Sequence, residues 1–202
     1  MKREVSPHSR LGRERASEDL AAAISAIRAA VGPDVELMAD FNQELNLAEA
    51  LQRCHMIDDV GLAWIDEPIV YDNFRGYAHL AAELKTPLQI GENLYSPRDL
   101  YTAIEGRACH LVTPDFMRIG GITGWFRAAA IAGAAGIPMS TPLYPEVAAH
   151  MMRVTETAHW LEWQDWVDPI LERPYEIRGG LLGIPDVPRA GLEWNEKAVE
   201  AN

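Results

Sequence analysis

Short predicted strands alternate with predicted helices along most of the chain, and this alternation limits the possible folds more than any other feature. Six strands are predicted at residues 35–40, 62–65, 88–92, 110–115, 137–141 and 158–162. Helices are predicted at residues 20–31, 46–57, 74–84, 96–106, 123–135 and 146–154. Such alternation implies parallel pairing of the strands through right-handed crossovers. We therefore predict an α/β protein, built either as a barrel or as a doubly wound sheet.

Glycine patterns help to choose between these two folds. No GxGxxG or GxxxxGK[ST] pattern follows any predicted strand, so a nucleotide-binding sheet has little support. The one Gly-rich turn is Gly120-Gly121-Ile122-Thr123-Gly124. A connecting loop and a substrate contact explain this turn equally well, because glycine serves both purposes. The glycine pattern favours a barrel.

Acidic residues stand at the ends of five predicted strands, at spacings of 26, 26, 23 and 47 residues. These residues are Asp40, Asp66, Glu92, Asp115 and Glu162. The last interval contains one further strand, so each step corresponds to one βα unit. In a barrel, the carboxyl ends of the strands converge on one mouth, where barrel enzymes place their chemistry. The spacing therefore predicts that these carboxylates share one cavity.

Carboxylates that share a cavity raise one another's pKa unless a cation neutralises them. Oxygen ligands without a neighbouring Cys or His favour a hard ion, so we predict Mg²⁺ first, Mn²⁺ second and disfavour zinc. A single acid after a strand also commonly caps the next helix, and that alternative stays open for each residue taken alone. Because neighbouring strand residues face opposite sides, Asp66 and Glu67 should not both point inward, and the spacing favours Asp66 as the ligand.

The composition restricts the class of partner. The chain has 18 Lys and Arg against 30 Asp and Glu, a net charge of −12, which argues against nucleic acid and anionic membranes. No apolar run approaches the roughly 20 residues of a membrane span, and no signal peptide is visible, so we expect a cytoplasmic protein. Cys54 and Cys109 form no metal-binding pattern and are predicted to be buried thiols.

Five ordered motifs carry a family resemblance. They are Ala39-Asp40-Phe41-Asn42-Gln43, Trp64-Ile65-Asp66-Glu67-Pro68, Gly91-Glu92-Asn93, Pro114-Asp115-Phe116-Met117-Arg118-Ile119-Gly120-Gly121 and His159-Trp160-Leu161-Glu162. The chain resembles the barrel of the enolase superfamily, mandelate racemase subgroup, over roughly residues 17 to 195. The tail Ile184-Pro185-Asp186-Val187-Pro188 is similar to the C-terminal segment of that family.

The resemblance implies a (β/α)₇β barrel of the TIM type. It implies that Asp40, Asp66 and Glu92 hold Mg²⁺, which binds a substrate carboxylate and stabilises the enediolate formed when a base removes the adjacent proton. Four further roles follow from it: Asn42 and Arg118 near the substrate, Asp115 in an Asp/His dyad, and Glu162 as a general acid or hydrogen-bond donor to the carboxylate.

The sequence departs from the family pattern at the dyad. The partner histidine should end the strand 137–141, but residue 142 is proline, and none of the six histidines stands at that strand end. Proline supplies no base, so a mechanism that needs His at this position is lost. His159 falls on the opposite strand face from Glu162, so packing is favoured for it, and His150 lies in a predicted helix.

The chain is also short for a complete barrel, which usually takes about 250 residues. We expect an incomplete barrel that lacks its first strand or strands and the family's capping domain. The expected organisation is a partial strand with a mobile loop at residues 1–16, barrel units at 17–170 and an outer C-terminal segment at 171–202. Lys2 is the candidate for the family's catalytic lysine, although a solvated terminal charge is the commoner explanation.

The leading functional hypothesis is a Mg²⁺-dependent enzyme that removes the proton next to the carboxylate of a small hydroxy acid. An acid-sugar dehydratase is favoured over a racemase of 2-hydroxy acids, because racemisation needs an acid/base group on each face of the intermediate. The alternatives are a catalytically impaired or non-catalytic barrel that retains metal binding, and an unrelated carboxylate-metal barrel such as an aldolase. Unpaired edge strands of an incomplete barrel favour a homo-oligomer.

Overall fold

The structure, a computed structural model, describes the backbone of residues 10–201, and the side chains of residues 20–201 except that of residue 189. The chain forms two compact units. The first unit contains the described residues up to Ile90 together with Ala103–His110, and the second contains Gly91–Thr102 and the described residues from Leu111 onward. No helix in the described part of the chain is long and apolar enough to cross a membrane.

The first unit is built from a parallel sheet and its crossover helices. In chain order its elements are α1 (Arg10–Val31), β1 (Met38–Asp40), α2 (Leu47–Ile57), β2 (Trp64–Asp66), α3 (Phe74–Glu83) and β3 (Leu88–Ile90). Strand β2 pairs in parallel with β1 and with β3. Helix α4 (Pro97–Glu105) follows β3 in the chain.

The second unit repeats the same arrangement. Its elements are β4 (Leu111–Val112), α5 (Gly121–Ala135), β5 (Met139–Thr141), α6 (Pro145–Met152) and β6 (Ala158–Leu161), and then the antiparallel hairpin β7 (Glu176–Arg178) and β8 (Leu181–Gly183), and the final helix α7 (Glu196–Ala201). Strand β5 pairs in parallel with β4 and with β6. The predicted alternation of parallel strands and helices is therefore confirmed in both units.

Local sequence signals explain where the helices begin. The Asn46 side chain accepts a hydrogen bond from the backbone N–H of Glu49 at 3.1 Å, which makes Asn46 the N-cap of α2 as predicted. Helix α1 begins at Arg10, whereas the sequence predicted a start at Ser17. The loop expected within residues 1–16 is therefore helical from Arg10 onward, where most residues are good helix formers. Residues 1–9 lie outside the described part.

Apolar strand residues and helix faces form the core of each unit. Ile65, Leu88 and Ile90 are buried in the first unit, as are the free thiols of Cys54 and Cys109. Burial raises the pKa of both thiols to about 12, and the charge of Asp58 adds to this effect at Cys54. The prediction of buried thiols is confirmed.

Gly91 allows a close approach of two backbone segments in the second unit. Its φ is +140°, and a Cβ at this position would lie 2.9 Å from the backbone nitrogen of Thr113. Real Cβ atoms do not approach backbone so closely, so only glycine fits here. This contact fixes the chain immediately before the predicted ligand Glu92.

Candidate active site

Three polar side chains share one face of the sheet in the first unit. Asp40 on β1 lies directly opposite Asp66 on β2, and Asp66 lies opposite Gln89 on β3. Neighbouring strands are about 4.8 Å apart, so residues in register project side by side. The Oδ2 of Asp66 accepts a hydrogen bond from Nε2 of Gln89 at 3.1 Å. Two of the predicted ligands are therefore adjacent.

The chain leaves β1 and β2 through residues with left-handed backbone. Asn42, Gln43 and Glu67 have φ values of +44°, +63° and +33°. Such backbone costs about 1–3 kcal/mol per non-glycine residue and is typical of functional loops. The Oδ1 of Asp40 accepts a hydrogen bond from the backbone N–H of Asn42 at 2.7 Å, which holds the first of these loops against the strand end. Asn42 itself is exposed, and its predicted contact with substrate stays a prediction.

Glu67 is a buried member of this site. Its Oε2 accepts a hydrogen bond from Nε2 of Gln43 at 3.0 Å. Burial first, and then the charges of Glu67, Asp66 and Asp40, raise the pKa of the Tyr77 hydroxyl, which itself donates a hydrogen bond to the carbonyl of Ile69. Three carboxylates therefore concentrate negative charge in the first unit. The expectation that Asp66 and Glu67 face opposite sides assumes that both residues belong to a strand. Glu67 lies beyond the end of β2 and has left-handed backbone, so the alternation rule does not apply to it.

Arg118 organises the predicted residues of the second unit. Its Nη1 donates to the Oδ1 of Asn93 at 2.6 Å and lies 3.3 Å from the Oε1 of Glu92. Its Nε lies 4.0 Å from the Oδ2 of Asp115. The guanidinium thus compensates the charge of Glu92 and stands beside that of Asp115. The structure brings Glu92, Asp115 and Arg118 together in the second unit.

Asp115 also has a structural role. It is only 2% exposed, and its Oδ1 accepts hydrogen bonds from the backbone N–H groups of Met117 and Arg118 at 2.6 and 3.1 Å. These bonds hold the turn before α5, but they do not cap that helix, whose N-cap is Gly120 without a side-chain hydrogen bond. At the end of β5 the dyad position is taken by Pro142, which is buried. Proline at this position supplies no proton acceptor.

For the remaining predicted residues, the structure gives little evidence about their roles. Glu162 follows β6 and is exposed, while its backbone N–H donates to the carbonyl of Thr141 at 3.0 Å. The Nδ1 of His159 lies 3.3 Å from the Ser140 hydroxyl on the neighbouring strand. Lys2 lies outside the described residues. The catalytic roles of Glu162 and Lys2 stay predictions.

The donor chemistry of the first unit fits Mg²⁺. Among the described side chains, no three Asp, Glu, His or Cys residues are grouped closely enough to hold a metal on their own. Magnesium does not need such a group, because it commonly binds one or two carboxylates and keeps several waters or substrate oxygens. Asp40 and Asp66, adjacent on one sheet face, provide such a carboxylate pair.

Comparison with known proteins identifies the family. Residues 6–198 match the family described as enolase C-terminal domain-like. The chain therefore belongs to this family, and its strands and helices are those of the family's TIM-type α/β barrel. The resemblance carried by the five sequence motifs is confirmed.

Three proteins similar to this chain are described by sequence identity and coverage. The L-talarate/galactarate dehydratase of Salmonella typhimurium is 31% identical over 189 residues, which cover 94% of this chain and 47% of the dehydratase. An enolase from alpha proteobacterium BAL199, solved with bound Mg, is 63% identical with a TM-score of 0.85, covering 88% of this chain and 49% of that one. An enolase from Bradyrhizobium, solved with magnesium and mandelic acid, is 42% identical with a TM-score of 0.86, covering 92% and 51%. The chain spans about half the length of these relatives.

Two side chains of the site were missed in the sequence. Gln89 is buried between Leu88 and Ile90 and completes the polar row on the sheet face. A single polar residue inside an apolar strand is the signal that could have identified it. Gln43 binds Glu67 through its amide nitrogen and accepts from the backbone N–H of Tyr71 at 2.9 Å through its amide oxygen. No sequence pattern predicts that pairing, since it depends on two left-handed turns.

Proposed function

We propose that the chain is the barrel portion of a Mg²⁺-dependent enzyme that removes the proton next to the carboxylate of a small hydroxy acid. An acid-sugar dehydratase is the preferred form of this activity. The observation that carries the proposal is the register of Asp40 against Asp66 in a chain of the enolase C-terminal domain-like family. The dehydratase among its relatives and the magnesium in two related structures support the same chemistry.

The proposed roles divide between carboxylates and a guanidinium. Asp40 and Asp66 are proposed as metal ligands from their register, and Glu92 is proposed as a third ligand from the family resemblance alone. When bound, Mg²⁺ supplies positive charge that stabilises a substrate carboxylate as its α-proton leaves. Arg118, which already contacts Glu92, is a binding partner for substrate oxygens, since its guanidinium carries several donors in a fixed plane. Asn42 is proposed to contact the substrate, and Glu162 to donate a hydrogen bond to it.

Exchange of the α-proton tests this proposal. The chain would be incubated in D₂O with Mg²⁺ and with galactarate, L-talarate or mandelate, and deuterium incorporation followed by NMR. We expect exchange with at least one acid, and its loss in Asp40→Asn. Asp34→Asn removes an exposed carboxylate elsewhere in the first unit and should exchange at the unaltered rate. The absence of deuterium incorporation with all three acids would contradict the proposed activity.

Pro142 favours a second candidate function, a catalytically impaired barrel that retains metal binding. The family's dyad needs an imidazole at this strand end, and proline cannot accept a proton there. The variant Pro142→His distinguishes the two candidates in the exchange assay. Exchange that appears only in Pro142→His supports the impaired barrel, whereas exchange by the unaltered chain shows that another group acts as the base.

A further inference from the structure

A pocket of about 210 Å³ opens in the second unit, between the loop that follows β5 and the loop that follows β6. Its walls include the apolar side chains of Leu143 and Val167 and the rings of Tyr144 and Trp166. Two further lining residues, Glu146 and Gln164, are polar. None of these residues belongs to the proposed metal, base or carboxylate-binding set.

Both polar residues present unused acceptors. Glu146 is 7% exposed, and its Oε1 is buried and accepts no hydrogen bond from the described residues. The Oε1 of Gln164 is likewise buried without a donor. Buried polar atoms are rarely left without a partner, because the loss of their hydration is then uncompensated. Two such acceptors in one pocket indicate a missing partner that donates hydrogen bonds.

The electrostatic environment indicates that this partner is positively charged. Among the described residues, no cationic side chain forms an ion pair with Glu146. Burial, and then the charge of Asp168, raises the pKa of Glu146, while its own backbone N–H opposes the shift. Glu146 lies in the first turn of α6, where the helix dipole favours an acid. The helix dipole does not require the acid to be buried, and it does not explain the buried oxygen of Gln164. A buried carboxylate is stabilised most by a cation placed against it.

The aromatic walls suit the same kind of partner. Tyr144 is 48% exposed and Trp166 is 72% exposed, so both rings are accessible on the pocket rim. The faces of such rings attract cations. Leu143 and Tyr144 have φ values of +56° and +48°, so the loop holds the ring in place at a cost in backbone strain. A hydrated Mg²⁺ is disfavoured here, because most of the wall is apolar.

We propose that this pocket binds a small organic cation, a primary ammonium group on an apolar stem. The ammonium donates to the Oε1 of Glu146 and to the Oε1 of Gln164, and the stem lies against Tyr144 and Trp166. The proposal goes beyond the function proposed above and does not depend on it, because the two sets of residues are different.

Calorimetric titration with 2-phenylethylammonium tests the proposal, with 2-phenylethanol as the neutral comparator of similar shape. We expect the ammonium to bind at least tenfold more tightly than the alcohol. Glu146→Gln should weaken ammonium binding at least tenfold, and Trp166→Ala about threefold. Glu172→Gln removes an exposed acid from the same unit and should leave the affinity unchanged, which controls for non-specific attraction to an acidic chain.

Three results would overturn the proposal. They are equal affinity for the ammonium and the alcohol, unaltered affinity in Glu146→Gln, and no binding at millimolar ammonium. Should Glu146→Gln fail to fold, Gln164→Leu provides the second test and must weaken binding, since it removes the other acceptor and leaves the acid in place. Asp40→Asn should retain ammonium binding, so failure of the proposed metal chemistry is distinguishable from failure of this pocket.

Discussion

Asp58 shows how one carboxylate can join two elements of the first unit. It follows α2 and accepts hydrogen bonds from the backbone N–H groups of Lys85 and Thr86, which precede β3, at 3.0 and 2.7 Å. Burial opposes its ionisation, but these two bonds, the Thr86 hydroxyl and the charge of His55 outweigh it and lower the pKa of Asp58. The ionised form therefore stabilises the fold.

Replacing Asp58 with Asn should lower the free energy of unfolding by about 1–2 kcal/mol at pH 7, because hydrogen bonds to a charged acceptor are lost. The folded pKa lies below the ordinary value of about 4, so this stabilisation is complete above pH 4 and disappears as the pH falls through the lower folded pKa. Urea unfolding at pH 7 and at pH 3 measures both effects.

The adjacent Asp59 provides the matched control for that experiment. Asp59 pairs with Nζ of Lys85 at 2.7 Å, but both side chains are largely exposed. Asp59→Asn should therefore change stability much less than Asp58→Asn, since water and salt screen an exposed pair. An equal decrease in the free energy of unfolding of the two variants would show that the hydrogen bonds to Asp58 add no stability beyond that of an exposed ion pair.

At the scale of single elements, the passage from β3 to the following loop depends on Gly91. Gly91→Ala should destabilise the second unit by at least about 2 kcal/mol, because the new Cβ would meet the backbone of Thr113 and the positive φ is strained for alanine. Gly136→Ala is the comparison: its φ is +66° and nothing lies within 4 Å of the added Cβ, so a loss of about 1 kcal/mol is expected. Thermal unfolding monitored by circular dichroism separates the two.

The order and type of the first six strands and six helices could be predicted from the sequence, because apolar spacing and caps act locally. Strand lengths could not. The predicted strand 88–92 ends at Ile90, because Gly91 has a positive φ before Glu92 is reached. The predicted strand 110–115 keeps only Leu111–Val112, since Asp115 already belongs to the next turn. Glu92, Asp115 and Glu162, which are predicted to end strands, therefore lie one or more residues after the strands end.

The candidate site could be predicted in part for a similar reason. The adjacency of Asp40 and Asp66 follows from their equal position at the ends of neighbouring parallel strands. The engagement of Arg118 with Glu92 and Asn93 does not, because it depends on how a turn places a long side chain. The pocket beside Glu146 is equally invisible in the sequence, since it requires the distance between two loops.

At the scale of the whole molecule, the net charge of −12 means that a cation can stabilise the chain without binding at a specific site. Any salt screens the self-repulsion of an acidic chain. A specific site adds stability beyond screening, by about 2.7 kcal/mol when Mg²⁺ exceeds its Kd 100-fold. For a domain of this size we expect the melting temperature to rise by about 5–10 °C.

Melting curves in MgCl₂ and in NaCl at matched ionic strength measure this difference. Asp40→Asn should show the NaCl response alone in both salts, whereas Asp34→Asn should keep the additional rise. A rise of equal size in the two salts would contradict a magnesium site in this chain.

The two buried cysteines offer a way to follow one unit by itself. Only the thiolate reacts with iodoacetamide, and at neutral pH the thiols of Cys54 and Cys109 are almost wholly protonated and shielded. Because both belong to the first unit, alkylation measures how often that unit opens. Alkylation of the natural thiols therefore reports on the unit that carries Asp40 and Asp66.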